Sequence, residues 1–555
     1  MTDIFSIKNT LTTAFQKALE SYPDSGVTAT LEIPKEKGHG DFSSPVALAL
    51  AKKLKKAPLG LAQEIASKLV FPEGFVAKTE VAPPGFINLT LDPGVFQKAL
   101  WEALAADQAY GRNQQGKGQK ILLEFVSANP TGPLNVVNAR AAALGDSIAN
   151  LLAASGWQVE REYYVNDAGV QARLFGESLW AAYQRINGTP AEAPEGGYQG
   201  AYMEDLAREI QADAEFNKRK AGGPEGMADW MGQWGMARVV EWHRKAMEGY
   251  GVHFDTWFSE NQRLHQTGLV GKTVESLKQK GLTYEKEGAL WIKTGEFGSP
   301  KDEVLVKGNG LPAYFAADIA YHLGKFDRGF DKILDIWGPD HHGHIQRMKS
   351  ALQAAGKPVE GFTVLIAQQV NLLQGGEKVK MSKREGKFIT MDELLEQVGK
   401  DAARFFFVMR SANSHLDFDI EVAQKQTDEN PVYYIQYAHA RISSLIRKAA
   451  AEKGFAPASD PSALRELGAP EEMALLREIL EYPQWVEESG RSYEPHRIVA
   501  YLQNLAAHFH LFYAKHRILD STPALGNARL ALALGVKNVI RNALALLGVS
   551  APESM

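Results

Sequence analysis

The segment from Ile121 to Val165 constrains this 555-residue chain more than any other. "ILLEFV" is a short apolar run of the kind a buried strand shows. A helical pattern follows to about Ser155, closed by Gly156, and "VEREYYV" then returns to strand character. Strand, helix, strand is the grammar of a βαβ unit. Further on, "KILDIW" and "FTVLIAQQV" supply more strands and "IQRMKSALQAAG" a helix with a glycine stop. A doubly wound parallel, Rossmann-like sheet accounts for all of them.

The flanking regions read differently, and the chain as a whole is α/β multidomain. Residues 1–110 mix helical and strand-like pieces into a small α+β domain. Its first helix is amphipathic, with Ile4, Ile7, Leu11, Phe15 and Leu19 on one face. Residues 111–400 hold the sheet, with an inserted segment at about 187–300; its Gly-, Pro- and acid-rich start, Asn187 to Trp230, reads as decoration of the sheet. Residues 401–555 are helical almost throughout and form an all-α bundle, in which Val432, Ile435, His439, Ile442 and Ile446 make a core-facing stripe. No apolar run is long enough to span a bilayer, so no membrane partner and a cytoplasmic location are expected. The absence of cysteine excludes disulfides, thiolate zinc sites and cysteine nucleophiles. A net charge of -5 argues against indiscriminate coating of nucleic acid, although separate basic clusters remain, each read alone as a solvated face.

In a doubly wound sheet, ligands bind beyond the carboxyl ends of strands, where helix N-termini favour anions. "SANPTGPLNVVNAR", Ser127 to Arg140, occupies such a place. It is not a phosphate loop, because "GRNQQGKG" precedes the strand and lacks the closing Ser or Thr. Taken alone it is a polar turn with a helix cap. "KMSKREGK", with Lys380, Lys383, Arg384 and Lys387, suits a polyphosphate clamp or, taken alone, a surface loop. "DHHGH", Asp340 to His344, is the best metal candidate by composition, but a ring over a nucleotide or a packed histidine reads better than ligation.

These two stretches, in this order, resemble the class I aminoacyl-tRNA synthetases, and bacterial arginyl-tRNA synthetases in particular. Family members carry a sequence like SANPTGPLHVGHGR and a KMSKS-type loop where this chain has "SANPTGPLNVVNAR" and, at 380–384, "KMSKR". "APPGFINLTL", "REYYVNDAGVQ", "DIWGPDHHGHIQRMKSAL" and "NPVYYIQYAHARISSLIRKA" extend the resemblance over essentially the whole chain. It implies ATP-dependent activation of L-arginine, with Mg2+ accompanying ATP and no dedicated protein metal site. The arginyl group then passes to the terminal adenosine of tRNA(Arg), and family members generally need tRNA for the first step. By the same resemblance the N-terminal domain contacts tRNA and the helical bundle reads the anticodon; a monomer is expected.

Residue by residue, Glu124, Ser127, Asn129, Tyr314, Asp318 and Gln346 match arginine-contacting positions. A guanidinium calls for a carboxylate able to receive paired N–H bonds, and Asp318, four residues beyond Tyr314 on one helix face, suits that role. A helix-surface Tyr and Asp is the plain alternative. Pro130, Asn135, Val137, Asn138, His341, His344, Met381, Ser382 and Lys383 fall on the ATP side, with Asn135, Asn138, Lys380 and Lys383 assigned to catalysis. Tyr433, Tyr437 and Arg441 are candidates for tRNA, although aromatic core packing is the safer expectation for the two tyrosines.

The departure lies at Asn135-Val136-Val137-Asn138, where the family has two histidines around a glycine. An asparagine amide still donates a hydrogen bond but has shorter reach and no positive charge, and Val137 crowds an approach that glycine leaves open. A working ligase is expected. The alternative is a catalytically weakened relative serving as a tRNA- or arginine-binding regulatory module.

Overall fold

Ile121, Leu122 and Leu123 are fully buried because their strand, β1 (Lys120–Glu124), is central in a five-stranded sheet. The computed structural model describes residues 3–34, 37–222, 226–379 and 389–555. After β1 come helix α1 (Val136–Ala154), β2 (Gln158–Val165) and β3 (Thr256–Ser259). Helix α2 (Tyr314–Asp327), β4 (Lys332–Trp337), helix α3 (His344–Ala354) and β5 (Phe362–Ile366) complete the unit. The strand order is β5-β4-β1-β2-β3, and every pair is parallel. The order reverses between β1 and β4, so the crevice beyond their carboxyl ends is the topological switch point of a doubly wound sheet.

Two local features shape that crevice. Gly145 of α1 lies where a Cβ would sit 2.2 Å from the Phe125 ring, so glycine is what lets α1 close onto the end of β1. The run "FTVLIAQQV" is not one strand, as expected, but two. β5 stops at Ile366, and Val370–Gln374 belongs to another sheet, antiparallel to Glu377–Lys378 and parallel to Leu416–Asp419.

The N-terminal region is α+β: strand Phe86–Leu91 lies antiparallel between Phe42–Ser44 and Val76–Ala82. The expected face of its first helix, Ile4, Ile7, Leu11, Phe15 and Leu19, is buried. Inserted helices, including Ala201–Ile210 and Met227–Gly249, share a core of their own with Val170–Ile186. Beyond Leu416–Asp419 the chain is helical, and helix α4 (Pro431–Lys453) buries Val432, Ile435, His439 and Ile442 as the stripe predicts. Arg477 reaches Asp41 at 2.6 Å, joining the bundle to the N-terminal region. Among the described residues, no helix is long and apolar enough to cross a membrane.

Candidate functional site: the crevice beyond strands β1 and β4

The backbone turns sharply as β1 ends. Val126 and Ser127 adopt φ values of 70° and 41°, a left-handed conformation that a β-branched residue such as valine rarely accepts. Surrounding groups hold this turn in place. The Tyr163 hydroxyl accepts from Ala128 N–H at 3.1 Å, His243 Nε2 donates to the Gly132 carbonyl at 2.8 Å, and the Tyr202 hydroxyl donates to the Thr131 carbonyl at 2.9 Å. Because His243 Nε2 carries the proton, Nδ1 accepts from Tyr163, 2.9 Å away. Burial pushes the His243 pKa down to about 4, so the ring is neutral. Tyr202 and His243 both come from the inserted helices. The insertion therefore supports the site as well as covering the sheet.

Glu124 and Asp318 are two of the residues expected to hold the amino acid. Helix α2 presents Tyr314, Asp318, Tyr321, His322 and Lys325 at helical spacing, from Tyr314, 73% exposed, to Lys325, fully buried. Asp318 is half-exposed and lies 3.3 Å from His344, at the start of α3. Glu124 is buried, with Oε1 accepting from the Ser127 hydroxyl at 2.8 Å and Oε2 from Lys325 at 2.5 Å and Tyr321 at 3.1 Å. The Ser127 oxygen accepts in turn from Tyr164 N–H. Asn129 and Gln346 are exposed, and Gln346 Nε2 donates to the Ser350 hydroxyl at 3.4 Å. Glu260, nearly buried, lines a cavity of about 560 Å³ with Tyr314, Ala317 and His265.

Below this pocket runs an ionic network that the sequence analysis missed. Lys325 donates to both Glu124 and Asp335, the latter at 2.8 Å; His322 contacts Asp335 at 2.9 Å; Arg328 and Tyr321 bind Glu162. Burial raises the Glu124 pKa against the pull of Lys325. Burial also opposes the Asp335 charge, but Lys325 and His322 outweigh it and lower that pKa. Among the described residues, Glu124, His322 and Asp335 are the group spaced to hold a metal ion, and the Lys325 ammonium already occupies both carboxylates. The "DHHGH" residues make no such cluster: His341 is exposed, 3.5 Å from Asp340 and tilted against Trp337.

Asn135, expected on the nucleotide side, is the N-cap of α1. Its Oδ1 accepts from Val137 N–H at 2.9 Å and Asn138 N–H at 3.3 Å, while Asn138 Oδ1 accepts from Asn135 N–H at 3.0 Å. The helix-cap reading is thus correct, and it leaves each Nδ2 with no acceptor among the described residues. Val137 is exposed and Pro130 buried. Lys380, Met381, Ser382, Lys383 and Arg384 lie outside the described residues, and the backbone that follows them is tied to this turn. Met391 N–H donates to the Leu134 carbonyl at 2.8 Å, and Asn135 pairs with Thr390. Buried Arg140 donates to the Gln368 carbonyl at 2.8 Å and to those of Ser411 and Ser414.

In the helical bundle, core packing of the tyrosines is not observed. Tyr433, half-buried, and Tyr437, exposed, stack on one face of α4, centroids 6.1 Å apart and planes 6° apart, and Tyr437 also stacks on His510 of helix His496–Lys515. The two tyrosines lie about one residue's rotation away from the buried stripe, so the same spacing of four serves a different face. The Arg441 guanidinium lies 4.8 Å from the rings of Tyr437 and Tyr513.

Three family descriptions match the chain: "Arginyl tRNA synthetase N terminal domain" over residues 6–91, "tRNA synthetases class I (R), catalytic domain" over 99–439, and "DALR anticodon binding domain" over 435–555. The arginine–tRNA ligase of Desulforudis audaxviator is 47% identical over 539 residues, covering 96% of this chain and 95% of its own. That of Desulforamulus reducens is 44% identical, covering 99% of each. A Campylobacter jejuni structure titled a putative arginyl-tRNA synthetase superposes with a TM-score of 0.75 at 34% identity, covering 83% of this chain and 99% of that one. The Thermus thermophilus arginyl-tRNA synthetase has the same fold, with a TM-score of 0.74 at 24% identity, covering 99% of this chain and 100% of that one. These relatives give the recognition-module alternative no support.

Proposed function

We propose how the crevice works from the premise that the chain belongs to the arginyl-tRNA synthetase family, class I aminoacyl-tRNA ligases. It joins L-arginine to tRNA(Arg). A carboxylate oxygen of arginine attacks the α-phosphorus of ATP and pyrophosphate leaves. A hydroxyl of the tRNA's terminal adenosine then attacks the adenylate carbonyl, releasing AMP and a proton. No protein nucleophile is required, so alignment and stabilisation of developing charge carry the rate.

In this reading Asp318 receives the guanidinium, assisted by the Tyr314 phenol four residues earlier on α2, which lines a cavity together with Glu260. Ser127, Asn129 and Gln346 orient the arginine backbone groups, and Glu124 anchors Ser127. Asn135 and Asn138 donate from Nδ2 to ATP, beside Pro130 and Val137, with His341 at the rim. His344, drawn to Asp318, serves the arginine side as much as the nucleotide side. Lys380 and Lys383, with Met381 and Ser382 beside them, clamp the phosphates. Magnesium would accompany ATP and supply charge to its phosphates, with no residue of this chain assigned to hold it. Tyr433, Tyr437 and Arg441 meet tRNA, with the N-terminal region as a second contact. A monomer is the assembly this scheme calls for, and a cytoplasmic site fits a role in translation.

The observation that carries this reading is the attachment of Thr390 and Met391, which follow 380–388, to Leu134 and Asn135 at the turn beyond β1. The test is arginine-dependent exchange of pyrophosphate into ATP with tRNA present, for the wild type and for Asp318→Ala. Exchange is expected in the wild type. The variant's arginine KM is expected to rise by about tenfold to a hundredfold, the loss of a charged, paired hydrogen bond. An unchanged arginine KM in folded Asp318→Ala would refute the pocket.

A further inference from the structure

Asp335 on β4 stands in register with Glu124 on β1, so the two carboxylates lie side by side beneath the crevice. Its two oxygens look to different parts of the amino-acid pocket. Oδ1 accepts from Lys325, which also holds Glu124, whose other oxygen holds the Ser127 hydroxyl. Oδ2 meets His322 Nε2, and His322 Nδ1 lies 2.8 Å from the backbone carbonyl of Asp318. Asp335 is thus the joint between the strand end that carries Ser127 and the helical turn that carries Asp318.

We propose that Asp335, acting through Lys325 and His322, is the positioning residue that sets the spacing of the two sides of the arginine pocket. Tyr321, Trp337 and Phe362 wall the His322 ring, and its polar contacts to Asp335 and to the Asp318 carbonyl fix its place between strand and helix. Lys325 bridges Asp335 and Glu124 within the same buried layer. Glu124 is thus paired inside the protein, and half-exposed Asp318 is left to meet the substrate's charge.

This inference rests on the arginine-pocket reading above, and a comparison of variants separates their fates. In pyrophosphate exchange, folded Asp335→Ala and His322→Gln are expected to raise the arginine KM at least about tenfold while the ATP KM stays within about twofold, since misplacing a ligand weakens only what it holds. Asp335→Asn keeps an acceptor for Lys325 and is expected to recover much of the loss. Equal rises in both KM values, or no rise where Asp318→Ala gives one, would refute positioning. No rise in any variant, Asp318→Ala included, would refute the pocket itself.

Discussion

Asn135 and Asn138 cap one another. The Oδ1 of each accepts a backbone N–H from the other, so the first turn of α1 is closed by the same two side chains that offer amide donors beyond the sheet. Asn135→Asp separates these duties. The carboxylate keeps the cap and favours the helix dipole, but it loses the donor and repels phosphate. Thermal stability should stay within about 0.5 kcal/mol of wild type, while pyrophosphate exchange falls by about a hundredfold to a thousandfold. Exchange that survives intact would limit Asn135 to the cap.

Restoring Asn135→His, Val137→Gly and Asn138→His together trades that cap for two imidazoles and puts glycine in the first turn. The triple variant should lose about 1–2 kcal/mol of stability. Its turnover should rise if the altered donors limit chemistry. Equal turnover in a folded variant would mean that the present arrangement is already compensated.

The outer face of α4 predicts a different defect. Tyr437→Ala should weaken tRNA binding by about 1–3 kcal/mol, the value of one base stacked on an aromatic ring. Arg441→Gln should lower the salt dependence of binding by roughly one phosphate contact. Filter binding across a salt series measures both. A loss of arginine affinity in place of tRNA affinity would contradict the assignment.

His243 gives the fold an acid limit. It is buried neutral, with its pKa down at about 4 from 6.5, so between those values the unfolded chain takes up a proton that the folded chain refuses. The full contribution is present above about pH 6.5 and drains away as pH falls toward 4, on the order of 3 kcal/mol in all. His243→Gln should flatten the dependence of Tm on pH across that window in calorimetry. An identical slope in the variant would place the acid sensitivity elsewhere.

Much of this was legible in the sequence where neighbours along the chain stay neighbours in space. The run Ile121 to Val126 announced a buried strand, and the polar stretch after it announced a turn and helix cap at the strand's carboxyl end, because both are local patterns. The stripe in α4 was readable for the same reason, whereas the Tyr433–Tyr437 stack was misjudged because a spacing of four marks a shared face without saying which face is outside. The network joining Glu124, Glu162, His322, Lys325 and Asp335 depends on strands and a helix far apart in sequence meeting in one layer. Even there a trace existed: polar groups recur along α2 at helical spacing beneath an apolar sheet, an arrangement that needs partners.

The ties from Tyr202 and His243 to the turn at Ala128–Gly132 carry a consequence for anyone trimming this enzyme to a minimal catalytic unit. Excising the inserted helices would shorten the chain and remove surface, yet it would also release a bend that valine does not adopt unaided. A pared-down version would keep its sheet and forfeit its ability to activate the amino acid.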